Sequence, residues 1–367
     1  MTTIIKSFDS RLKSHPNEKY WTIRDLKYLL SLGGKGDIFI ANSPRNYGKT
    51  YSAIELSIEC LRAGQSIAYG RYNKPELASS IADWLVKCPE LIPIKVEGSQ
   101  LKWFEYPGTG SRIAFFIWNI SQNVKGTDWP FQYIICDEFI PERYTNKTRY
   151  DTEFKDWSSV YKSLARSYNP TVIMIANNIQ WVNPFYIAWD ILPVNKGKID
   201  RYTKYFNITV DGENFKTHRT IVIENVPATK EIIKRNLKQQ AISFNSDAEM
   251  MRYFDNETKQ EYTAIAKCPD MTKPLINVQI MSMGYYMRPR AYNGRFYWQK
   301  VQHDNTVVCV TSEPEYVDYD QNTFKNKSVN DGLEDSFNNG QCVFDSTDTL
   351  MAFMRFLRHN RGYLSMG

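Results

Sequence analysis

The feature that most constrains this chain is an eight-residue loop wedged between a short apolar run and a helix-periodic stretch. Asp37 to Ala41 (DIFIA) is β-rich and apolar, and from Thr50 to Ala63 apolar residues recur at Ile54, Ile58 and Leu61 until Gly64 ends the pattern. Between them stands Ser43-Pro44-Arg45-Asn46-Tyr47-Gly48-Lys49-Thr50. A strand that turns sharply into a helix through Gly-Lys-Thr leaves backbone N–H groups and a helix N-terminus facing outward, which suits an anion. The loop matches the phosphate-binding pattern G-x-x-x-x-G-K-[ST] except that Ser43 replaces the first glycine.

The rest of the N-terminal half repeats this alternation. Trp21 to Leu32 has helical spacing and is broken by Gly33, Gly34 and Gly36. Ser66–Tyr69, Ile113–Trp118, Tyr133–Cys136 and Val172–Ile175 read as strands, and Glu76–Val86 and Trp157–Ala165 as helices. The strands are continuous in apolar residues, as strands buried on both faces are. Alternation of this kind predicts an α/β fold with a parallel sheet, and the Gly48-Lys49-Thr50 loop after its first strand makes a P-loop ATPase domain the expectation. After about Pro193 the texture turns to short basic and polar pieces, with a strand over His218–Ile223 and a charged helix over Thr229–Gln240. From Ile276 the chain is strand-rich, with Ile276–Met287, Arg295–Val301, Val307–Thr311 and Cys342–Phe344 followed by an amphipathic helix Thr347–Leu357. With 367 residues in hand, the expected organisation is an ATPase domain over residues 1–228, a linker region over 229–272 and a smaller C-terminal domain over 273–367.

Composition excludes several alternatives. No run of eighteen uncharged apolar residues occurs, and the first thirteen residues lack the apolar core of a signal peptide, so a membrane or secreted protein is not expected. The six cysteines are scattered without a C-x-x-C pair, and none of the four histidines has metal-ligand spacing. The net charge of +6 is mild, but between Lys196 and Gln239 ten Lys/Arg stand against five Asp/Glu. Lys196, Lys198, Arg201 and Lys204, and Lys230, Lys234, Arg235 and Lys238, are the candidates for an anionic partner.

A second chemical element lies about 87 residues beyond the loop, where Tyr133-Ile134-Ile135-Cys136 runs into Asp137-Glu138. Ligands of open α/β sheets gather at the carboxyl ends of strands. Lys49 is suited to reach the β- and γ-phosphates of ATP, Thr50 and Asp137 to hold Mg²⁺, and Glu138 to orient the attacking water. Ala176-Asn177-Asn178, at the tip of another apolar strand, could report loss of the γ-phosphate. Arg166, Lys125 and, inside the loop, Arg45 are the candidate cations for the transition state.

Taken together, the serine-started loop, the apolar strand ending in Asp-Glu, the polar strand tip and the smaller strand-rich second domain resemble the viral DNA-packaging ATPases of the large-terminase family. The chain is most similar to the compact encapsidation proteins of small podophages. The likeness covers most of Ile38 to Asn178 by motif and the remainder by domain order and length. It implies an ATP- and Mg²⁺-dependent motor that drives double-stranded DNA into a preformed capsid. The subunits would form a homo-oligomeric ring, a pentamer, on the portal vertex, with a packaging RNA as a further partner, in the host cytoplasm. On that likeness Ser43, Arg45, Asn46, Tyr47, Gly48, Lys49 and Thr50 line the nucleotide, Asp137 holds the metal, Glu138 the water, and Ala176 to Asn178 form the coupling turn. Arg166 is then the preferred finger into a neighbouring subunit, with Lys125 as the alternative. The family's larger members carry an RNase H-like nuclease in the C-terminal domain. Here Ile276–Met287 contains no acid, and Asp318, Asp320, Glu334, Asp335 and Asp345 fall in loops or at strand ends. A vestigial, non-cleaving domain is therefore expected, because two-metal cleavage needs convergent carboxylates. A helicase-like remodelling ATPase and a non-hydrolysing DNA-binding assembly protein remain open as alternatives.

Overall fold

A computed structural model of the chain describes residues 20–43, 47–72, 74–118, 129–140, 147–177, 184–189, 191, 199–210, 213–226, 273–274, 278–282, 285–292, 295–302, 304, 308–311 and 341–346, with further single positions between 333 and 356. It divides into two units. The first comprises Met1–Arg143, Lys155–Ile179 and Pro193–Phe254, and the second Tyr144–Phe154, Gln180–Leu192 and Asp255–Gly367.

The first unit is organised by a nine-stranded sheet. Its strands are β1 (Ile38–Ser43), β2 (Ser66–Arg71), β3 (Ile92–Ile94), β4 (Lys102–Tyr106), β5 (Ser111–Ile117), β6 (Phe131–Asp137), β7 (Thr171–Asn177), β8 (Ile199–Val210) and β9 (Glu213–Asn225). Their order is β3-β4-β5-β2-β6-β7-β1-β9-β8. The six strands from β5 to β9 pair in parallel, whereas β3 and β4 at one edge and β8 at the other pair antiparallel. The expected parallel sheet is thus a mixed, mostly parallel one.

Alternation along the central strands divides the core between the two faces of the sheet. Phe39, Ala41, Tyr69, Phe115, Ile135, Ile173 and Ile175 belong to one buried cluster with residues of the helices α1 (Ile23–Leu30), α2 (Lys49–Arg62) and α3 (Lys74–Lys87). Tyr69, Trp84 and Phe115 meet edge to face with ring centroids 5.4–6.0 Å apart, a favoured aromatic geometry. On the other face, helix α4 (Lys147–Leu164) sends the Trp157 indole N–H to the Cys136 sulfur at 3.3 Å. Cys60, Cys88, Cys136 and Cys342 are buried free thiols. Among the described residues no helix is long and apolar enough to cross a membrane.

The largest departure from the sequence-based expectation follows Pro193. The expected strand His218–Ile223 lies within β9, but Ile199–Val210 and Glu213–Asn225 form one long antiparallel hairpin, registered from Ile199↔Glu224 to Val210↔Glu213, where short connecting pieces were expected. Its inner strand completes the sheet beside β1 through Ile38↔Ile221 to Asn42↔Asn225. Residues 229–272, read as a linker, lie outside the described residues.

The second unit contains helix α5 (Pro184–Trp189), whose Phe185 and Trp189 pack on Phe154 at 5.8 and 5.7 Å. It also holds a smaller sheet of β10 (Lys273–Pro274), β11 (Val278–Ser282), β12 (Tyr285–Tyr292), β13 (Arg295–Lys300), β14 (Val308–Thr311) and β15 (Cys342–Phe344), ordered β14-β11-β12-β13-β15 with β10 on β12. The expected single strand Ile276–Met287 is two, since the chain reverses between Ser282 and Tyr285 and Ile280 pairs with Met287. The sequence between them includes Gly284, a residue that favours reversals. Phe353, helical in the C-terminal segment, packs on Trp298 and Phe344 with centroids 4.8 and 5.2 Å away.

Gly70 shows how tightly the first core is drawn. A Cβ there would lie 2.4 Å from the Phe116 ring on the adjacent strand. Gly70→Ala is expected to destabilise the first unit by about 1–3 kcal/mol, read as a lower denaturation midpoint in urea at an unchanged slope.

Candidate nucleotide and metal site

The strand order decides which residues meet. β7 lies between β1 and β6, so the carboxyl ends of these three parallel strands bring Ser43, Asn177 and Asp137 to one edge, with Ser43↔Asn177 and Asp137↔Ile175 in register. Gly48 begins α2 in the left-handed region at φ 84°, where a Cβ would stand 2.7 Å from the Trp21 carbonyl oxygen. Only glycine fits such a turn without strain. Trp21 also clamps the loop end. Its backbone N–H donates to the Tyr47 carbonyl at 3.0 Å, its carbonyl accepts from the Ser52 hydroxyl at 3.2 Å, and its indole donates to buried Glu224 at 2.9 Å. Among the described residues no side chain caps the α2 N-terminus, leaving its first-turn amides for an anion.

Lys49 is 6% exposed and folds back to the strand end. Its ammonium donates to the Ser43 carbonyl at 2.8 Å, to the Ser43 hydroxyl at 2.5 Å and to Asn177 Oδ1 at 3.4 Å. The serine in place of the pattern's first glycine therefore has a definite job, since its side chain and carbonyl both hold the lysine. Asn177 joins the same ammonium, linking the tip of β7 to the loop.

Asp137 is fully buried at the end of β6. The Thr50 hydroxyl donates to its Oδ1 at 3.2 Å, and the Tyr69 hydroxyl and the Arg71 guanidinium share its Oδ2 at 2.5 and 2.8 Å. The other arm of Arg71 reaches Glu138 Oε2 at 2.6 Å. Burial alone would pull the Arg71 guanidinium toward deprotonation, but Asp137, Tyr69 and Glu138 outweigh it and hold it above its ordinary value. Burial, and then the charge of Asp137, keep the Tyr69 phenol well above its ordinary value, so it remains a donor. Burial likewise pushes the neighbouring Cys136 thiol up to about 12, which makes it inert.

Glu138 differs from its neighbour in two ways. Its side chain is 45% exposed, and its backbone has φ 53°, the only positive φ at a non-glycine position among the described residues. Strained backbone of this kind concentrates at functional sites. The amide of the following Phe139 bonds to the Ile175 carbonyl at 3.1 Å, tying the turn to β7.

These groups fit a hard divalent cation and a phosphate chain. Thr50 and Asp137 supply adjacent oxygen ligands, few in number as Mg²⁺ prefers, and Lys49 with the α2 amides supplies positive potential. Of the residues singled out from sequence, Ser43, Tyr47, Gly48, Lys49, Thr50, Asp137, Glu138, Ala176 and Asn177 gather at this edge. Arg45, Asn46, Asn178 and Lys125 lie outside the described residues, as do Lys196, Lys198, Lys230, Lys234, Arg235 and Lys238. Arg166 is exposed two residues past α4, and Arg201 and Lys204 stand on β8.

Arg71, Tyr69 and Trp21 escaped the sequence reading. The usable signal was Tyr69-Gly70-Arg71 at the end of the second strand, a cation and a phenol at the same sheet edge as the carboxylates.

The fold is thus an α/β one in which a mostly parallel sheet brings Lys49 from the helix after β1, Asp137-Glu138 from the end of β6 and Asn177 from β7 between them to one edge. Over 93% of its length the chain is similar to a structure described as the Phi-28 gp11 DNA packaging motor, with TM-score 0.53, 13% identity and 98% of that chain covered. It is similar over the same share to the bacteriophage Phi-29 viral genome packaging motor assembly, with TM-score 0.52, 18% identity and 100% of that chain covered. No protein-family model and no curated protein matches the sequence.

Tyr69→Phe removes one donor to the Asp137 carboxylate while keeping the aromatic contacts. It is expected to weaken Mn²⁺ binding about tenfold or more, as loss of an outer-shell partner does, in electron-paramagnetic-resonance titrations with ADP present. Nucleotide affinity without metal should stay close to wild type.

Proposed function

We propose that the protein is an ATP-hydrolysing motor subunit that translocates double-stranded viral DNA into a preformed capsid. The observation that carries this reading is the convergence of Lys49, Thr50, Asp137, Glu138 and Asn177 on one sheet edge, in a chain similar over 93% of its length to packaging-motor structures. In this reading Lys49 leaves Ser43 and Asn177 for the β- and γ-phosphates as ATP enters. Thr50 and Asp137 hold Mg²⁺, which when bound neutralises charge on the phosphates. Glu138 orients the attacking water and accepts its proton.

The geometry adds a requirement. Paired with Arg71 at 2.6 Å, Glu138 is not free to accept a proton, so hydrolysis needs that contact loosened. In this reading Asn177 couples the two halves, a role supported by its side-chain contact with Lys49 and by its strand running between those of the loop and the acids.

The further assignments belong to the same proposal. The subunits act as a homo-oligomeric, pentameric ring at the portal vertex in the host cytoplasm, with a packaging RNA as an additional partner. Exposed Arg166 is the cation supplied to the neighbouring site. The domain division at 1–228, 229–272 and 273–367 stands with it. The C-terminal domain is a vestigial RNase H-like fold, a reading supported by the antiparallel β11-β12-β13 meander with β14 parallel to β11. In it Asp345 is engaged in local bonds, accepting from the Lys300 amide at 2.9 Å, from Ser346 at 3.1 Å and from Thr349.

Steady-state ATP hydrolysis with Mg²⁺, at concentrations that permit assembly and with duplex DNA present, tests the motor. Lys49→Ala and Glu138→Gln are each expected to reduce kcat at least a hundredfold, corresponding to about 2.7 kcal/mol or more of transition-state stabilisation. Arg166→Ala subunits should regain turnover when mixed with Glu138→Gln subunits, each repairing the other's defect. Turnover that persists in Lys49→Ala, or an assembled wild type that hydrolyses no ATP, would sink the proposal, the latter in favour of a DNA-binding assembly protein. Nicking of supercoiled plasmid with Mn²⁺ would overturn the vestigial-nuclease part.

A further inference from the structure

The β8–β9 hairpin extends beyond the body of the first unit as a two-stranded ribbon. From Thr203 to Thr209 and from Glu213 to His218 every residue is exposed, on both faces. Two-stranded ribbons without cover are marginal in water, and such a length of exposed sheet calls for a partner.

The register sorts the ribbon into two unlike faces. Tyr205 stands opposite His218, Asn207 opposite Lys216 and Thr209 opposite Asn214. Their side chains meet as the pairing requires, with the Tyr205 and His218 rings 5.9 Å apart and the Thr209 hydroxyl 2.6 Å from Asn214 Oδ1. Arg201, four residues nearer the body than Tyr205, continues this face because side chains alternate along a strand. Among the described residues every exposed side chain on it is a hydrogen-bond donor and none is an acid; the one acid on this face, Glu224 opposite Ile199, is buried at the body end. The opposite face carries exposed Lys204, Phe206, Ile208 and Phe215, with Glu213 near the tip, and half-buried Arg219, opposite Lys204, which lies over the Tyr161 ring. Arg201 and Lys204, grouped together from the sequence, thus point to opposite sides.

We propose that the Arg201–Tyr205–Lys216–His218 face of this ribbon grips the sugar-phosphate backbone of double-stranded DNA. The inference rests on the motor reading above and assigns it a contact surface. Donors on one strand face recur about every 6.8 Å, so those from Tyr205 to Thr209 span roughly 14 Å, over which one strand of B-DNA presents about four phosphates. An acid-free, donor-rich strip of that length matches a polyanion by charge. It carries no aliphatic side chain that a protein partner would bury. Short hydroxyl and amide donors beside a few cations suit contacts to phosphate and sugar, which position a duplex without reading its sequence. A two-stranded ribbon is also narrow enough to enter a major groove about 12 Å wide.

The test uses the full chain, a fluorescein-labelled mixed-sequence duplex, a non-hydrolysable ATP analogue and fluorescence anisotropy across a sodium chloride series. The double variant Arg201→Ala/Lys216→Ala removes two cations from the proposed face. Lys204→Ala removes one from the same ribbon's other side. The double variant is expected to lower the slope of log affinity against log salt by about 1.8, at about 0.9 for each phosphate no longer neutralised, while Lys204→Ala keeps the wild-type slope. All three side chains are exposed, and circular dichroism melting should confirm that the variants stay folded. An effect of Lys204→Ala as large per charge would make the attraction diffuse and overturn the assignment. So would an unchanged slope in the double variant when wild type binds, leaving the motor reading intact. If light scattering shows the double variant dissociated where wild type is oligomeric, the face is a subunit contact instead. Wild type that fails to bind duplex even at low salt overturns the motor reading and the ribbon assignment together.

Discussion

A carboxylate with no access to water must be compensated where it stands, and Asp137 is the group around which the first unit is arranged. Its two oxygens are held by Thr50 from the loop helix and by Tyr69 and Arg71 from the neighbouring strand. Each contact presupposes a different part of the fold. Thr50 arrives only if Gly48 turns the chain into α2 against Trp21, and Arg71 and Tyr69 only if β2 is the lateral neighbour of β6. Removing one partner from a buried ion pair is costly because the remaining charge is stranded. The site and the sheet order therefore stabilise each other, and the same residues that would bind a metal also secure the strands.

Much of this edge was legible in the sequence because its chemistry is local. Gly48-Lys49-Thr50 and Asp137-Glu138 each sit within a few residues of the strand that presents them, and a continuous apolar run betrays a doubly buried strand. Arg71 and Tyr69 were not legible for the opposite reason. Nothing within β2 announces that it will lie beside β6 rather than β1, and only that adjacency turns an ordinary arginine into the partner of two acids. The serine at position 43 was visible as a departure from pattern, yet its use became clear only when Lys49 was seen to fold back on it.

The hairpin after Pro193 was legible only in part: His218–Ile223 read as a strand and lies within β9, where the inner end is buried. The outer strand was missed because its apolar residues Phe206 and Ile208 are exposed and interleaved with basic and polar ones, which look like a connector. The signal present was Asp211-Gly212 flanked by β-branched and aromatic residues, a pairing that favours tight hairpin turns. Likewise the run Ile276–Met287 looked like one strand because both arms of the β11–β12 hairpin are apolar and the reversal between them is short.

The left-handed backbone at Glu138 has a consequence for how this protein tolerates change. Asparagine and glycine occupy that conformation more readily than glutamate does. Either one at position 138 would relieve local strain and also release Arg71 from one of its two acids, while leaving the core untouched. Relief of the backbone would thus be set against loss of the 2.6 Å contact with the largely buried Arg71 guanidinium, so the acid is kept at the sheet edge by its partner and against its own backbone preference.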